Sequence, residues 1–364
     1  MKIGLVRRGY SATGGAEAYL RRFTDAASSA GHSCVLFAGG EWPESVWTGE
    51  RVHLAGGSPR AFADALTAAN PRDRCDFLFS LERVWTCDGY RAGDGVHAAW
   101  LARRAEFEPF WRPLVRRYNA KHRDLLEIER ALFSDRGTGL VIANSEWIKR
   151  EIAQHFAYPP ERTHVVYNGV PAFTAPPNER AEVRSELGLA PGDYVLLFAG
   201  SGWERKGFKF AIDAVNAATR SRPTLLVAGR GRAEKMPHSS RVRYLGPVGD
   251  MARVFAAADA FLLPTLYEPF SNACIEALAA GLPVLTTEHN GFSEIIVRGG
   301  EGEVYPDPTD AAAIADGIDR WADPELRAAV RPRLLEKAAR FTIEENLRST
   351  LAIIGNSRKS AATP

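Results

Sequence analysis

The sequence predicts an α/β fold of two Rossmann-like, doubly wound domains facing a central cleft. Three observations carry that prediction. The chain has 364 residues, enough for two domains at roughly 100–200 residues each. Near-continuous apolar runs alternate with amphipathic helical segments, the pattern of parallel sheets covered on both faces. That rhythm stops at a stretch rich in turn residues and then restarts.

Residues 2–6 are a short apolar run suited to a buried strand. A polar, glycine-rich loop follows, then a helix over about 15–30 and a strand over 32–38, which together make a βαβ unit. Further strands are expected at 52–55, 76–80, 140–143 and 164–167, with Ser145 capping a helix that ends near Phe156. Asn168-Gly169-Val170-Pro171 interrupts the pattern, and Pro176-Pro177-Asn178 reads as a linker. The second half has a strand at 194–199, a loop, and a helix over 207–219 with Phe208, Ala211, Val215 and Ala218 on one face. Strands follow at 224–228, 243–245, 260–263 and 283–286. The expected domains are 1–170 and 171–341, then a helix over 342–356 packing back on the first domain, and a flexible tail at 357–364.

Composition narrows the class. Hydrophobic residues make up 45% and charged residues 25%, as in ordinary globular domains. A net charge of +2 makes any basic partner surface local, and no nucleic-acid partner is expected. Cys34, Cys75, Cys87 and Cys274 are far apart, so they read as free thiols in a reducing compartment. The longest apolar stretch, 255–264, contains Asp259 and falls short of the about 20 residues a membrane span needs. The first residues run into Arg7-Arg8-Gly9 without an apolar core of signal-peptide length, so no export is expected.

Ligands of open α/β sheets bind beyond the carboxyl ends of strands, so function is sought in the loops after Val6, Ala199, Ala228 and Leu263. The sequence lacks a G-x-x-x-x-G-K-[ST] loop, an H-E-x-x-H pair and an Asp-x-Asp pair, and no G-x-G-x-x-G follows Val6. A diphosphate would then rely on fixed cations and helix N-termini. Gly200-Ser201-Gly202-Trp203-Glu204-Arg205-Lys206-Gly207 offers both, with Arg205 and Lys206 adjacent at a helix start; the alternative is a surface turn with solvated charges. In Tyr267-Glu268-Pro269-Phe270-Ser271-Asn272-Ala273-Cys274-Ile275-Glu276, Glu268 sits on a loop at a strand's carboxyl end. Ser271 and Asn272 cap a helix whose N–H groups can face an anion, and Glu276 lies about a turn inward. A carboxylate accepts well from vicinal hydroxyls. Here the alternative is a capping loop followed by an exposed helical glutamate.

Glu268 and Glu276 resemble the E-x7-E motif of the retaining family-4 glycosyltransferases, which have the GT-B fold. Companions stand in order: Gly14-Gly15, Asn168-Gly169-Val170, Arg205-Lys206-Gly207, Gly229-Arg230-Gly231 and Ala279 through Val284. Ala92-Gly93-Asp94-Gly95-Val96, the stretch from Tyr118 through Ile128-Glu129-Arg130-Ala131-Leu132-Phe133, and Pro160-Glu161-Arg162 are similar to the lipopolysaccharide glucosyltransferase I branch of that family. The resemblance implies a nucleotide-sugar donor, UDP-glucose in that branch, with no metal or other cofactor and with retention of configuration. It implies that Arg205 and Lys206 neutralise the diphosphate, Glu276 binds the ribose, and Glu268 with the Phe270-Ser271-Asn272 backbone binds sugar hydroxyls and phosphate. Gly14 and Gly15 would let the first helix approach the phosphate, and Gly246 and Val248 would form the base-binding turn. Asp94 takes the place at the reacting centre, with His97 as its rival. The first domain would bind the acceptor, a lipid-linked saccharide, at the inner face of the cytoplasmic membrane.

Between Arg103 and Arg123 lie Arg103, Arg104, Arg112, Arg116, Arg117, Lys121 and Arg123, against Glu106 and Glu108. On one continuous helix at about 100° per residue, Arg112, Arg116, Arg123 and Arg130 share a face, opposite Leu114, Tyr118, Leu125, Ile128 and Leu132. Such a face, with Arg117 beside it, suits an anionic membrane surface; the alternative is a solvated face on a helix whose apolar side packs inward. Three readings follow: a glycosyltransferase using UDP-glucose, GDP-mannose or another UDP-sugar to build envelope glycan; a GT-B enzyme of another type, such as a sugar-nucleotide epimerase; or a non-catalytic GT-B membrane- or partner-binding protein.

Overall fold

Apolar strands pair in parallel throughout the computed structural model, which describes residues 1–10, 15–40, 42–43, 46–116, 118–173, 176, 178–232 and 238–362. Two compact units result, one of residues 1–167 with 344–364 and the other of 168–343.

The N-terminal unit carries strands β1 (Lys2–Arg7), β2 (Ser33–Ala38), β3 (Glu50–His53), β4 (Phe77–Ser80), β5 (Cys87–Arg91), β6 (Thr138–Ala143) and β7 (Thr163–Val165). Its helices are α1 (Gly15–Ser29), α2 (Pro59–Ala68), α3 (His97–Ala105), α4 (Trp111–Arg116), α5 (Ala120–Leu132) and α6 (Glu146–Phe156). The strand order is β3-β2-β1-β4-β5-β6-β7.

The C-terminal unit repeats the plan with β8 (Val195–Ala199), β9 (Thr224–Ala228), β10 (Val242–Gly246), β11 (Ala260–Leu263), β12 (Val284–Thr287) and β13 (Gly302–Tyr305). They are ordered β10-β9-β8-β11-β12-β13. Its helices are α7 (Glu179–Glu186), α8 (Phe208–Ala217), α9 (Met251–Ala257), α10 (Asn272–Ala279), α11 (Ala311–Arg320) and α12 (Pro324–Ala338), and α13 (Ile343–Ala362) follows. The order reverses between β1 and β4 in one sheet and between β8 and β11 in the other. Since the strands are parallel, their carboxyl ends share an edge, and the diverging connections open a crevice at each reversal. The central strands are wholly buried at Ile3, Leu5, Val195–Phe198 and Phe261–Leu263. Each such side chain contributes about 1.5–3 kcal/mol.

Strands β5 and β13 were not anticipated, because charged residues break their apolar pattern. Asp88 is paired, accepting from the Leu78 N–H at 2.7 Å and facing Arg72. Glu303 is held by Arg320 at 2.8 Å and Trp321 Nε1 at 3.2 Å. The boundary also shifts: residues 168–170, assigned by sequence to the first domain, group with the second unit. The Val170 N–H donates to the Phe341 carbonyl at 2.9 Å, and a Cβ at Gly169 would lie 2.3 Å from the Thr342 carbonyl oxygen, a contact that only glycine permits.

Two further expectations are corrected. The helix expected over 342–356 is longer, since α13 runs to Ala362, and residues 363–364 of the expected tail lie outside the described residues. The added residues include no Gly or Pro to stop the helix. The basic segment is two helices, not one: α4 ends at Arg116 and α5 starts after Asn119, whose side chain accepts from the His122 N–H. The shared arginine face, computed for a continuous helix, therefore does not form.

Candidate active site

The crevice between β8 and β11 is built by two loops tied to each other. The Leu266 N–H and the Thr265 hydroxyl both donate to the Arg205 carbonyl at 2.8 Å. Gly207 caps α8 with φ +71, and a Cβ there would sit 1.8 Å from the Pro264 carbonyl oxygen, so the β8 loop packs directly on the end of β11.

This packing brings three sequence-predicted residues together. Lys206 Nζ is 2.9 Å from Glu268 Oε2, and Arg205 Nη2 is 3.5 Å from the same oxygen. Glu268 is 8% exposed. Burial pushes its carboxyl up, but Lys206 and Arg205 more than offset this and hold it below the ordinary carboxylate range. The Glu268 backbone is pinned as well: its N–H donates to the His289 carbonyl at 2.8 Å and its carbonyl accepts from the Gly291 N–H at 2.9 Å.

Ser271 is buried and N-caps α10, its Oγ accepting from the Cys274 N–H at 3.3 Å. The Ser271 N–H, expected to face a ligand, donates instead to Asn290 Oδ1 at 3.2 Å. Asn290 is wholly buried, and its amide also donates to Thr286 Oγ1 at 3.0 Å. The Phe270 ring packs in the core against Phe292, leaving the backbone of Phe270 as its polar part. Asn168 Nδ2 donates to the Phe270 carbonyl at 3.3 Å and to Asn272 Oδ1 at 2.8 Å. Glu276 lies half-buried on the second turn of α10.

Gly246 ends β10 with φ +68, and its carbonyl accepts from the Gly229 N–H at 2.8 Å. Val248 follows half-buried. The Arg230 N–H reaches Ser201 Oγ at 3.2 Å, so the loops after β8, β9 and β10 are linked. Among the described residues no group of three or more His, Cys, Asp or Glu is placed to hold a metal ion.

In the N-terminal unit, Gly14 and Arg117 lie outside the described residues, and Gly15 opens α1. Asp94 is exposed in the turn after β5, which closes through the Gly95 N–H to the Ala92 carbonyl at 3.1 Å. His97 begins α3. Its Nε2 is 3.1 Å from His122 Nδ1, and burial, reinforced by Arg83, His122 and Lys121, pushes its pKa down to about 3.

Sequence reasoning missed Arg83 and Glu129. Glu129 is wholly buried and accepts from the His97 N–H at 2.7 Å, the Ala98 N–H at 3.0 Å and Arg83 Nε at 2.9 Å. The available signal was a carboxylate between Ile128 and Leu132 on the buried side of α5.

Around α4 the expected sidedness is reversed. Arg116 turns inward to Glu108 and is only 11% exposed, and Arg104 and Arg112 flank the same carboxylate at 3.0 and 3.9 Å. Phe110, Leu114, Val115 and Tyr118 are 87%, 57%, 61% and 69% exposed. Arg123 and Arg130 remain on the surface of α5. No described helix is long and apolar enough to cross a membrane.

Comparison with known proteins matches residues 13–172 to the glycosyltransferase family 4 model and residues 193–323 to the glycosyl transferases group 1 model. The chain is 27% identical to lipopolysaccharide glucosyltransferase WaaG of Escherichia coli, over 77% of this chain and 72% of that protein. A crystal structure of WaaG superposes with a TM-score of 0.82 at 22% identity, covering 97% of this chain and 99% of that one. Anabaena HepE, crystallised with UDP and glucose, has a TM-score of 0.72 at 18% identity, over 97% and 99%. These likenesses show the GT-B fold. The chain spans about half to three-quarters of the length of the curated relatives it matches.

Proposed function

The chain belongs to the group 1/family 4 glycosyltransferases, and from that premise we propose that it transfers glucose from UDP-glucose, with retention and without a metal, to a lipid-linked glycan such as the lipopolysaccharide inner core. The observation that carries this reading is the Arg205–Lys206–Glu268 cluster at the strand-order reversal of the C-terminal sheet. Two adjacent cations on a rigid loop can neutralise a diphosphate, and a pinned, ionised carboxylate beside them can accept from sugar hydroxyls. Glu276 binds the ribose diol, and the Gly246–Val248 turn receives the base. The glucosyltransferase name of the Escherichia coli relative and the UDP and glucose bound to Anabaena HepE support the donor.

Asp94 stabilises the positive charge that grows at the anomeric carbon, a role suited to a carboxylate on a turn just beyond a strand end. The leaving diphosphate takes the proton of the acceptor hydroxyl, so no strong base is required. The acceptor is lipid-linked and the enzyme works peripherally on the inner face of the cytoplasmic membrane. Support for this comes from exposed Phe110, Leu114, Val115 and Tyr118 in a segment that also exposes Arg112 and Arg123, since apolar anchors together with cations suit an anionic interface.

Incubating the full chain with a panel of UDP- and GDP-sugars, with and without chelator, tests the reading. UDP-glucose turning over fastest, at a rate indifferent to chelator, is the expected result. Preference for GDP-mannose or another UDP-sugar would replace the donor. Loss of activity in chelator would overturn the metal-free mechanism, and no turnover with any donor would favour a non-catalytic role.

A further inference from the structure

Asp94 is exposed on a turn between two glycines, yet the chain that follows it is held by buried charge. Arg83 Nη2 donates to the Gly95 carbonyl at 2.6 Å, immediately after Asp94. Arg83 Nε donates to Glu129 Oε1 at 2.9 Å. The two Glu129 oxygens then accept the first two N–H groups of α3, from His97 and Ala98, at 2.7 and 3.0 Å. The Glu129 side chain is fully buried and that of Arg83 is 9% exposed.

Such a pair is costly to bury. Each ion loses hydration, and replacing the pair by apolar groups is often neutral or stabilising. Stability alone is thus a weak reason for placing a carboxylate on the apolar side of α5, between buried Ile128 and Leu132. What the pair supplies is geometry: three donors converge on one carboxylate, and the fork of the same arginine spans from that carboxylate to the turn. Burial works against the Arg83 charge, and the neighbouring carboxylates of Glu129 and Asp94 help to offset it. A second link from α5, the His122–His97 ring contact at 3.1 Å, holds the same end of α3.

We propose that Glu129, acting through Arg83 and the first turn of α3, is the positioning residue that sets the Gly93-Asp94-Gly95 turn for the transfer reaction. The proposal rests on the assignment of Asp94 to the reacting centre. Glu129 touches no reacting atom in this scheme. It fixes where the Asp94 carboxylate stands, and a displacement of about 1 Å at a reacting group can cost 100-fold in rate.

The test compares Asp94→Asn, Glu129→Gln, Arg83→Lys and the double variant Asp94→Asn/Glu129→Gln in the full chain, reading kcat, donor KM, UDP affinity and thermal melting. Glu129→Gln keeps the shape but leaves an amide nitrogen facing an N–H. Arg83→Lys keeps the charge and loses the fork. The expected result is a kcat lower by about 10- to 100-fold in Glu129→Gln, a smaller fall in Arg83→Lys, and donor KM and UDP affinity near the parent values. The double variant is expected to be no slower than Asp94→Asn alone, because a residue that acts through Asp94 has nothing left to position.

Parent-like kcat in both Glu129→Gln and Arg83→Lys, with Asp94→Asn impaired, overturns the positioning role and leaves the reading of Asp94 standing. Full activity of Asp94→Asn overturns that reading and the positioning role with it. Additive losses in the double variant assign Glu129 to general stability and also overturn the proposal. Should Glu129→Gln fail to melt cooperatively, Arg83→Lys and its own double variant with Asp94→Asn decide by the same criteria.

Discussion

Lys206 Nζ and Glu268 Oε2 stand 2.9 Å apart, on loops from the two strands that flank the order reversal of the C-terminal sheet. The cation assigned to the donor diphosphate is thus already paired with the carboxylate assigned to the donor sugar. With Arg205 included, the cluster carries two positive charges and one negative, so an arriving diphosphate meets a net cation whose geometry is set in advance.

The first prediction concerns this pair and acid. The folded-state pKa of Glu268 is lowered, so its contribution to stability is complete above the unfolded carboxylate value of about 4.3 and is lost as pH falls through the folded value. In Lys206→Met the buried carboxylate keeps only Arg205 at 3.5 Å, and the loss should begin at higher pH. Thermal melting between pH 3 and pH 7 (about one unit below to three above that carboxylate value) should show the acid limb moving upward in the variant. Superimposable limbs would remove the pair from the stability of the unit. UDP affinity should fall by about 1.5–3 kcal/mol in Lys206→Met and in Arg205→Ala, the range for a charge-assisted hydrogen bond.

A second prediction separates the two glutamates. Glu276 is half-buried on α10, so Glu276→Gln should mainly raise the Kd for UDP. Glu268→Gln removes the charge opposite Lys206 and should mainly lower kcat. Calorimetric UDP binding alongside initial rates distinguishes them, and normal values for both variants would reduce the motif to a capping loop.

What sequence reading reached and what it missed follow from how far apart the partners lie. The β8 loop and the Glu268–Glu276 stretch were legible because each is continuous in sequence: a strand, a turn and a helix start, with the charged groups inside it. Asp88 and Glu303 disguised their strands because the groups that satisfy them, such as Arg72 and Arg320, come from other elements. Asn290 claims the Ser271 N–H from 19 positions away, and Arg83 meets Glu129 across 46. No local pattern encodes either contact. The helical wheel failed at α4 because it assumed a continuous helix and gave Glu108 no part, whereas Glu108 draws Arg116 inward and leaves Leu114 and Val115 outside.

That reversal changes the membrane prediction. Leu114→Ser/Val115→Ser should weaken binding to anionic vesicles more than Arg112→Gln/Arg123→Gln does, because the exposed apolar groups bury in the interface while the arginines act through a screened field. Sedimentation with phosphatidylglycerol vesicles should show the arginine contribution fading from low to moderate salt and the apolar contribution persisting. Binding that vanishes with salt in the parent would return the surface to a purely electrostatic one, and no binding at any salt would make it a solvated face.

The last prediction concerns which group serves the reacting centre. His97 is the natural rival of Asp94, but its ring is committed to His122 and its pKa is pushed down to about 3. It therefore stays neutral through the working range and cannot supply positive or negative charge there. For a histidine depressed in the folded state, stability is complete above the ordinary value of about 6.5 and is lost as pH falls toward the folded value. His97→Gln should accordingly flatten the acid limb of the melting curve below pH 6.5 (the unperturbed histidine value, about 6.5) while leaving kcat close to the parent. Asp94→Asn should do the opposite: kcat falls by about 100-fold or more, with UDP affinity nearly unchanged because UDP lacks the sugar. A kcat profile that loses an ionisation near neutrality in His97→Gln, with Asp94→Asn still active, would transfer the role to the histidine and require its contact with His122 to open during turnover.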